Sequence, residues 1–194
     1  MKHKSIKNLE YIYNHYKTKV VLFRNVSRLD SFTLFKSSQN EEFNKYLNWG
    51  KPENLEEVIL KIDNYINSKN HIAISFCKED GLWCGIFVFE IYKDGVMLSL
   101  WTNPMYWKTV YPIHAAFAGI DILFKETNLK KIYAKISPDN NSMLKIVSRN
   151  GFKLIEKTKT LHTSGEYISA NIYLLEKDNW LENIKSFYIK QSKY

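Results

Sequence analysis

The hydrophobic pattern in the middle of the chain constrains the fold more than any other feature. An apolar strand over residues 96–102 ends at Asn103-Pro104, and a long helix follows over residues 111–127. A second strand over residues 131–137 comes next, followed by a polar turn and a short helix that ends at Gly151-Phe152. Strand, helix, strand and helix in this order predict a mixed α/β domain.

The rest of the chain extends this pattern on both sides. Asn54 caps an amphipathic helix over residues 55–66, and residues 31–49 have helical spacing that breaks near residues 37–40. From His71 the apolar residues recur at every second position, which indicates strands joined by tight turns. In chain order, the predicted strands cover residues 19–24, 71–77, 82–92, 96–102, 131–137, 152–161 and 166–176. We predict an α/β (α+β) fold with a mixed, mostly antiparallel central sheet and helices on both faces.

Helical patterns at the two ends add to this core. Residues 1–18 carry an apolar stripe, and residues 177–194 place Trp180, Ile184 and Phe187 on one face of a helix. We predict that residues 1–194 form one domain with a core over residues 19–176. The apolar faces of the two terminal helices are compatible with a homodimer.

The charge balance favours anionic partners. Lys and Arg total 28 against 20 Asp and Glu, which gives a net charge of +8. The lysines are scattered, so nucleic acid is a possible partner that the pattern does not favour. No apolar run is long enough to span a bilayer, and the first residues lack the apolar core of a signal peptide. We expect a cytoplasmic protein without a membrane partner.

The two cysteines, Cys77 and Cys84, flank a predicted turn at residues 78–81. They could approach each other across that turn. Without a secretory signal, we expect two reduced and partly buried thiols. Because no histidines lie near them in the sequence, we predict no zinc site.

Three short motifs occur in the order and spacing of a known family. Residues 43–49 precede the amphipathic helix, Ser99-Leu100-Trp101 precedes Pro104, and Asn140 lies eleven residues before Gly151. In these features the chain, over residues 19–176, resembles the GNAT acetyltransferase superfamily. The resemblance is closest to its branch of ribosomal-protein N-terminal acetyltransferases.

The resemblance implies an acyl-CoA-dependent N-acyltransferase in which a primary amine attacks the thioester directly. The implied cofactor is acetyl-CoA or another acyl-CoA. The acceptor would be a small-molecule amine or a protein amine. By resemblance, the cofactor contacts fall on backbone at Leu100, Trp101 and Thr102, on the turn formed by Lys108, Thr109, Val110 and Tyr111, and on Asn140.

One segment departs from the family. Relatives hold the pyrophosphate with a basic, glycine-rich turn, whereas residues 107–112 contain no glycine and Pro112 lacks an N–H donor. Lys108 can still neutralise phosphate, and the Thr109 hydroxyl and the amides near Val110 can donate. Alternatively, aromatic residues pack this turn and the pyrophosphate loop is degenerate.

For the general base, Glu90 is the best candidate because it lies in an otherwise apolar strand. The alternative is an exposed position at the end of that strand. His114 is a second candidate, at a position where relatives often have glutamate.

For the acid that protonates the leaving thiolate, the family's tyrosine position falls on Val147, which cannot donate. Ser142 is therefore our candidate, and Tyr133 is another nearby hydroxyl. Two other functions stay open: a binding or assembly module that has lost acetyl-CoA, and a nucleic-acid-modifying relative.

Overall fold

A seven-stranded sheet forms the centre of the molecule, with strand order β1-β2-β3-β4-β5-β7-β6. The structure is a computed structural model that describes residue 13 and residues 18–46, 50–162 and 165–182. Neighbouring strands are antiparallel except β4 and β5, which run parallel. The strands are β1 Leu22–Asn25, β2 His71–Cys77, β3 Trp83–Tyr92, β4 Gly95–Thr102, β5 Lys131–Ile136, β6 Lys153–Leu161 and β7 Tyr167–Glu176. The predicted fold class is confirmed.

Helices cover the sheet on both faces, as predicted. They are α1 Ser31–Ser38, α2 Glu41–Asn44, α3 Leu55–Asn67, α4 Tyr111–Glu126 and α5 Asn141–Arg149. The break between α1 and α2 arises because the Asn40 side chain accepts hydrogen bonds from the amides of Glu42 and Phe43 and so starts a new helix. The helical spacing in the sequence covers residues 31–49. Its last three residues, 47–49, lie outside the described residues.

Alternation along the strands divides the core between the two faces. On one face, which we call face A, the rings of Phe87 and Phe89 pack against α4 residues such as Ile120 and Leu123. On the opposite face, face B, α3 buries Val58 and Ile62 in a second apolar cluster, which is formed with Ile86, Val88 and Trp101. Helices α4 and α5 therefore pack on face A of the sheet, and helices α1 to α3 pack on face B.

The first strand begins later than predicted. Residues 19–21 belong to a turn held by Thr18, whose side-chain oxygen accepts hydrogen bonds from the amides of Val20 and Val21. The strand therefore begins at Leu22. This turn chemistry is not visible in the hydrophobic pattern, because Val20 and Val21 look like strand residues.

A buried carboxylate anchors the face-B helices to the sheet. Asp30 is 2% exposed and accepts hydrogen bonds from the Arg24 guanidinium, the Ser75 hydroxyl (2.8 Å) and the Ser27 amide (3.0 Å). The Trp83 indole N–H donates in turn to Ser75 Oγ at 3.2 Å. Because each partner lies on or beside a strand, this network fixes the start of α1 against β1, β2 and β3.

The terminal segments are described in part. The Tyr13 hydroxyl is buried and donates to the carbonyl of Gly119 in α4 at 2.6 Å. Residues 177–182 are helical, and Trp180 packs on Phe117 and donates to Asp121 at 3.3 Å. The remainder of the two predicted terminal helices lies outside the described residues. Among the described helices, none is both long and apolar enough to cross a membrane.

Candidate active site

The parallel strands β4 and β5 separate soon after they meet. In the part of the chain that the structure describes, they pair at Val96–Ile132 and at Met97–Tyr133, although both strands continue well beyond these positions. Beyond Met97 the two strands therefore leave a gap in the middle of the sheet.

The closed end of this gap is held by the turn between β3 and β4. Asp94 accepts hydrogen bonds from Lys131 Nζ at 2.7 Å and from the Tyr133 hydroxyl at 2.6 Å. Gly95 follows, and a Cβ placed there would lie 2.3 Å from the carbonyl oxygen of Lys131. The strands can approach this closely only because residue 95 has no side chain.

A groove of about 370 Å³ occupies the gap and reaches both faces of the sheet. On face A it is lined by apolar side chains of β4, α4 and α5, namely Leu98, Leu100, Ala116, Ile120, Met143 and Val147. On face B the lining is more polar and includes Tyr46, Tyr65, Glu90, Ser99, Trp101 and Lys135. The volume is in the range of small-molecule and cofactor sites.

The aromatic residues near the groove leave it open. Trp101 is 8% exposed and forms part of the wall on face B. Trp107 is not among the lining residues, and its indole N–H donates to the Thr102 carbonyl at 2.9 Å. Tyr111 packs edge-on against Tyr106, with 5.7 Å between ring centroids.

Glu90 is the one acidic side chain among the described lining residues, and Lys135 is the one basic side chain. Glu90 lies on face B near the end of β3, with its side chain 53% exposed. Val88, two residues earlier on the same face, is buried beside α3, which ends at Asn67. Glu90 is therefore exposed near the end of its strand and also lines the groove, a position that is compatible with both interpretations of this residue.

The N-terminus of α4 has free backbone donors. Val110, which precedes the helix, makes no side-chain cap. Within the described residues, the amides of Val110, Tyr111 and Ile113 have no hydrogen-bond acceptor. The Lys108 side chain is exposed at the same turn. Thr109 differs from expectation, because its hydroxyl donates to the Tyr106 carbonyl at 2.7 Å and is not available to a ligand as a donor.

Helix α5 presents one stripe of residues to the groove. Asn140, Met143, Val147 and Asn150 line it at helical spacing. Asn140 Oδ1 caps the helix by accepting from the Met143 amide at 3.2 Å. Its Nδ2 group has no acceptor among the described residues. Ser142 is exposed and is not a lining residue, so the structure does not bring this candidate acid to the groove.

Two other candidates have structural partners or lie away from the groove. Tyr133 donates to Asp94, and burial, followed by that hydrogen bond, raises the pKa of Tyr133 to about 12. His114 is exposed on α4 and is not a lining residue. The cysteines are free, and both are fully buried rather than partly buried as predicted. Burial raises the pKa of Cys84 to about 12. Among the described residues no cluster of His, Cys, Asp or Glu could hold a metal ion.

Tyr46, Tyr65 and Lys135 line the groove but were not identified from the sequence. Tyr65 follows Ile62 at helical spacing and is indistinguishable from a core position in the sequence pattern. Its ring contacts those of Trp101 and His71, with centroids 5.9 and 6.0 Å apart. Burial, with a smaller effect of Glu90, raises the pKa of Tyr65 well above its ordinary value, so the hydroxyl stays neutral at physiological pH.

The sequence also matches a known family. A family model described as an acetyltransferase (GNAT) domain matches residues 21–153, more than half of the 194 residues. The chain belongs to the GNAT acetyltransferase family. The resemblance inferred from the motifs is thus confirmed at the level of the family.

Solved GNAT structures share the fold at low sequence identity. An acetyltransferase (GNAT family) from Bacillus anthracis is 19% identical, with a TM-score of 0.74 over 84% of this chain and 98% of that one. The RimL ribosomal α-N-protein acetyltransferase in complex with coenzyme A is 14% identical, with a TM-score of 0.73 over 84% and 97% of the two chains.

A spermidine N-acetyltransferase from Vibrio cholerae, in complex with CoA and spermine, is also 14% identical, with a TM-score of 0.73 over 83% and 98% of the two chains. At these identities the likeness concerns the fold alone. No curated protein is significantly similar to this chain.

Proposed function

We propose that this GNAT protein is an acyl-CoA-dependent N-acetyltransferase that modifies a primary amine. The observation that carries the proposal is the groove through the sheet, which is lined by apolar side chains of β4, α4 and α5 on face A and by a carboxylate on face B. An acyl-CoA and an amine could enter from opposite faces and meet between β4 and β5.

The residues on face A fit an acyl-CoA. The free amides of Val110, Tyr111 and Ile113 at the N-terminus of a sixteen-residue helix offer donors and a favourable dipole for a pyrophosphate. Lys108 adds a positive charge nearby. These groups support pyrophosphate binding without the glycine-rich turn. They compensate in part for Pro112, which has no N–H group.

The apolar lining and one free amide fit the pantetheine arm. Leu98 and Leu100 of β4 and Met143 of α5 offer apolar contacts along the groove. The Asn140 Nδ2 group faces no competing acceptor and would donate to a pantetheine or thioester carbonyl. Backbone groups over residues 100–102 complete the proposed contacts, apart from the Thr102 carbonyl, which already accepts from Trp107.

Acetyl-CoA would supply an activated acetyl thioester, and Glu90 would supply the base. The Glu90 carboxylate accepts a proton from the amine as its nitrogen bonds to the acetyl carbon and the carbon–sulfur bond breaks. Glu90 then releases that proton through solvent and the departing thiolate takes up one proton, so the overall reaction converts an amine and a thioester into an amide and a thiol. The neighbouring Tyr65 is neutral and adds no negative charge that would compete for the proton.

The acceptor class is a primary amine. Solved structures with this fold include a spermidine N-acetyltransferase in complex with spermine and a ribosomal α-N-protein acetyltransferase. For this chain we propose both a polyamine and a protein N-terminus as acceptors to test. The groove lining offers one lysine as its basic group in the described residues, so it provides little surface for a nucleic-acid backbone.

Calorimetry tests the cofactor part of the proposal. Acetyl-CoA should bind, and S-acetylpantetheine, which lacks the pyrophosphate and the nucleotide, should bind at least about tenfold more weakly because the α4 amides have no phosphate to hold. Equal affinity would contradict a pyrophosphate site at α4. No binding at millimolar acetyl-CoA would favour the binding or assembly module, in which the exposed apolar residues Met105 and Val110 mark a partner surface.

Thiol release tests the chemistry. Acetyl-CoA is incubated with spermine or with a short peptide that has a free N-terminus, and free CoA is measured. Glu90→Gln should lower turnover by about 10²- to 10⁴-fold and leave the affinity for acetyl-CoA unchanged, because only the proton acceptor is lost. Unchanged turnover in this variant would show that Glu90 is not the base.

A further inference from the structure

Beside the groove, the side chains of Ser68, His71 and Glu90 lie next to one another in that order. Ser68 Oγ lies 2.9 Å from His71 Nδ1, and His71 Nε2 lies 3.6 Å from Glu90 Oε1. His71 and Glu90 are direct partners across the β2–β3 pair, so their side chains project from the same face. His71 is not a lining residue of the groove, whereas Glu90 is.

The hydrogen bonds of Ser68 determine which nitrogen of His71 carries its proton. Ser68 Oγ accepts from the amides of Asn70 and His71, both at 3.1 Å. These two bonds occupy both of its lone pairs, so the hydroxyl proton is left to donate to His71 Nδ1. A neutral imidazole that accepts at Nδ1 has its proton on Nε2. Glu90 Oε1 lies 3.6 Å from that nitrogen, close enough for electrostatic attraction but beyond a direct hydrogen bond.

We propose that His71, held in this tautomer by Ser68, is the positioning residue for Glu90. The inference rests on the proposed role of Glu90 as the base. From 3.6 Å, the Nε2–H group attracts one carboxylate oxygen of Glu90 and leaves the other free to accept the proton of the amine. Among the described residues, the basic side chain that approaches the Glu90 carboxylate within 4 Å is His71, at 3.6 Å from Nε2 to Oε1.

The surroundings keep this arrangement in place. The Tyr65 ring packs edge-on against the His71 ring, and the Trp101 ring also contacts the Tyr65 ring. The titratable side chains that face His71 in the described structure are Glu90 from β3 and Tyr65 from α3. His71 is 33% exposed at its side chain, so water and protons reach it. A carboxylate that is held at one oxygen keeps its other oxygen oriented toward the substrate amine. Correct orientation of a catalytic group increases the reaction rate.

The first test compares two variants of similar size. His71→Gln keeps an N–H donor near the position of Nε2, whereas His71→Leu removes it. With acetyl-CoA and spermine as probes, His71→Leu should lower kcat by about tenfold or more and change KM little, because the amine still binds but meets a misplaced base. His71→Gln should retain kcat within about threefold and should lose any inflection that histidine adds to the pH profile of kcat.

The second test determines the tautomer of His71 in the absence of substrate. Nitrogen NMR of the imidazole in the free protein should show the proton on Nε2, and Ser68→Thr should preserve this state because it keeps a hydroxyl. Ser68→Ala should shift His71 to a mixture of tautomers. Circular dichroism of each variant establishes that the fold is retained.

The outcomes separate this inference from the proposed function. If the unmodified protein turns over no amine, the proposed function fails, while the NMR result still confirms or contradicts the Ser68–His71 arrangement. If turnover is normal and His71→Leu equals His71→Gln in kcat, the positioning role of His71 is wrong. A proton on Nδ1 in the unmodified protein would also overturn it.

Discussion

The Tyr133 hydroxyl donates a hydrogen bond of 2.6 Å to Asp94 Oδ1, at the level where β4 and β5 make their last pair. Lys131 Nζ contacts the other oxygen of the same carboxylate at 2.7 Å. Asp94 thus joins the β3–β4 turn to β5. This contact lies at the closed end of the gap between β4 and β5, so we infer that it helps to set where the two strands separate and the groove begins.

Asp94 should make stability depend on acidic pH. The hydrogen bonds from Lys131 and then Tyr133 lower the pKa of Asp94 to about 2. A carboxylate whose pKa is lower in the folded state stabilises the fold above its unfolded pKa of about 3.9. That stabilisation is lost as the pH falls toward about 2. Urea unfolding of the native protein and of Asp94→Asn should therefore show a stability difference that shrinks from pH 5 to pH 2.

Tyr133→Phe is the companion variant for this measurement. It removes one hydrogen bond and leaves the Lys131 contact, so it should reproduce part of the difference. A difference between native protein and Asp94→Asn that stayed constant across this range would contradict the lowered pKa.

Gly95→Ala should destabilise the protein by about 1–3 kcal/mol, since a Cβ there would lie 2.3 Å from the Lys131 carbonyl oxygen and a backbone atom cannot easily move away. Gly119→Ala is the matched control. Its Cβ would meet the Phe87 ring at 3.3 Å, and alanine favours the helix in which it lies. Chemical denaturation should show a clearly smaller loss for Gly119→Ala, and equal losses would count against the close approach at Gly95.

Asp30→Asn should cost about 3–5 kcal/mol of unfolding free energy. The carboxylate is 2% exposed, and its loss would leave Arg24, which is itself half-buried, without a charged partner. Asp63→Asn offers a comparison, because Asp63 pairs with Arg28 at the surface. Thermal and urea unfolding should show a much smaller loss there. Similar losses in the two variants would mean that burial of Asp30 does not govern its contribution.

Two substitutions of Asn140 should separate its structural role from its proposed ligand contact. Asn140→Asp keeps the oxygen that caps α5 and replaces the Nδ2 donor, so stability should change little while acetyl-CoA affinity falls. Asn140→Ala should lose about 0.5–2 kcal/mol of stability as well. Unfolding curves and calorimetry report the two effects. Unchanged affinity in Asn140→Asp would restrict Asn140 to its capping role.

Much of the fold could be predicted from local pattern. The predicted limits of β2, β3 and α4 lie within one residue of those observed, because period and turn residues such as Asp94-Gly95 are local signals. The hydrophobic pattern predicts the start of the first strand three residues too early, since the turn made by Thr18 depends on side-chain hydrogen bonds. The parallel pairing of β4 with β5 follows from the crossover helix between them.

The candidate site, like the fold, could be predicted from the sequence only in part. The sequence by itself determined that Glu90 is a carboxylate in an apolar strand, that Asn140 begins a helix, and that the turn before α4 has no glycine. Only the tertiary structure decided that Tyr46 and Tyr65 line the groove and that Ser142 does not. It also decided that His71 lies next to Glu90. The physical reason is that residue type and local period depend on neighbours in the chain. Which side chains share a groove depends instead on strand register and helix rotation, and these are set by packing between distant segments.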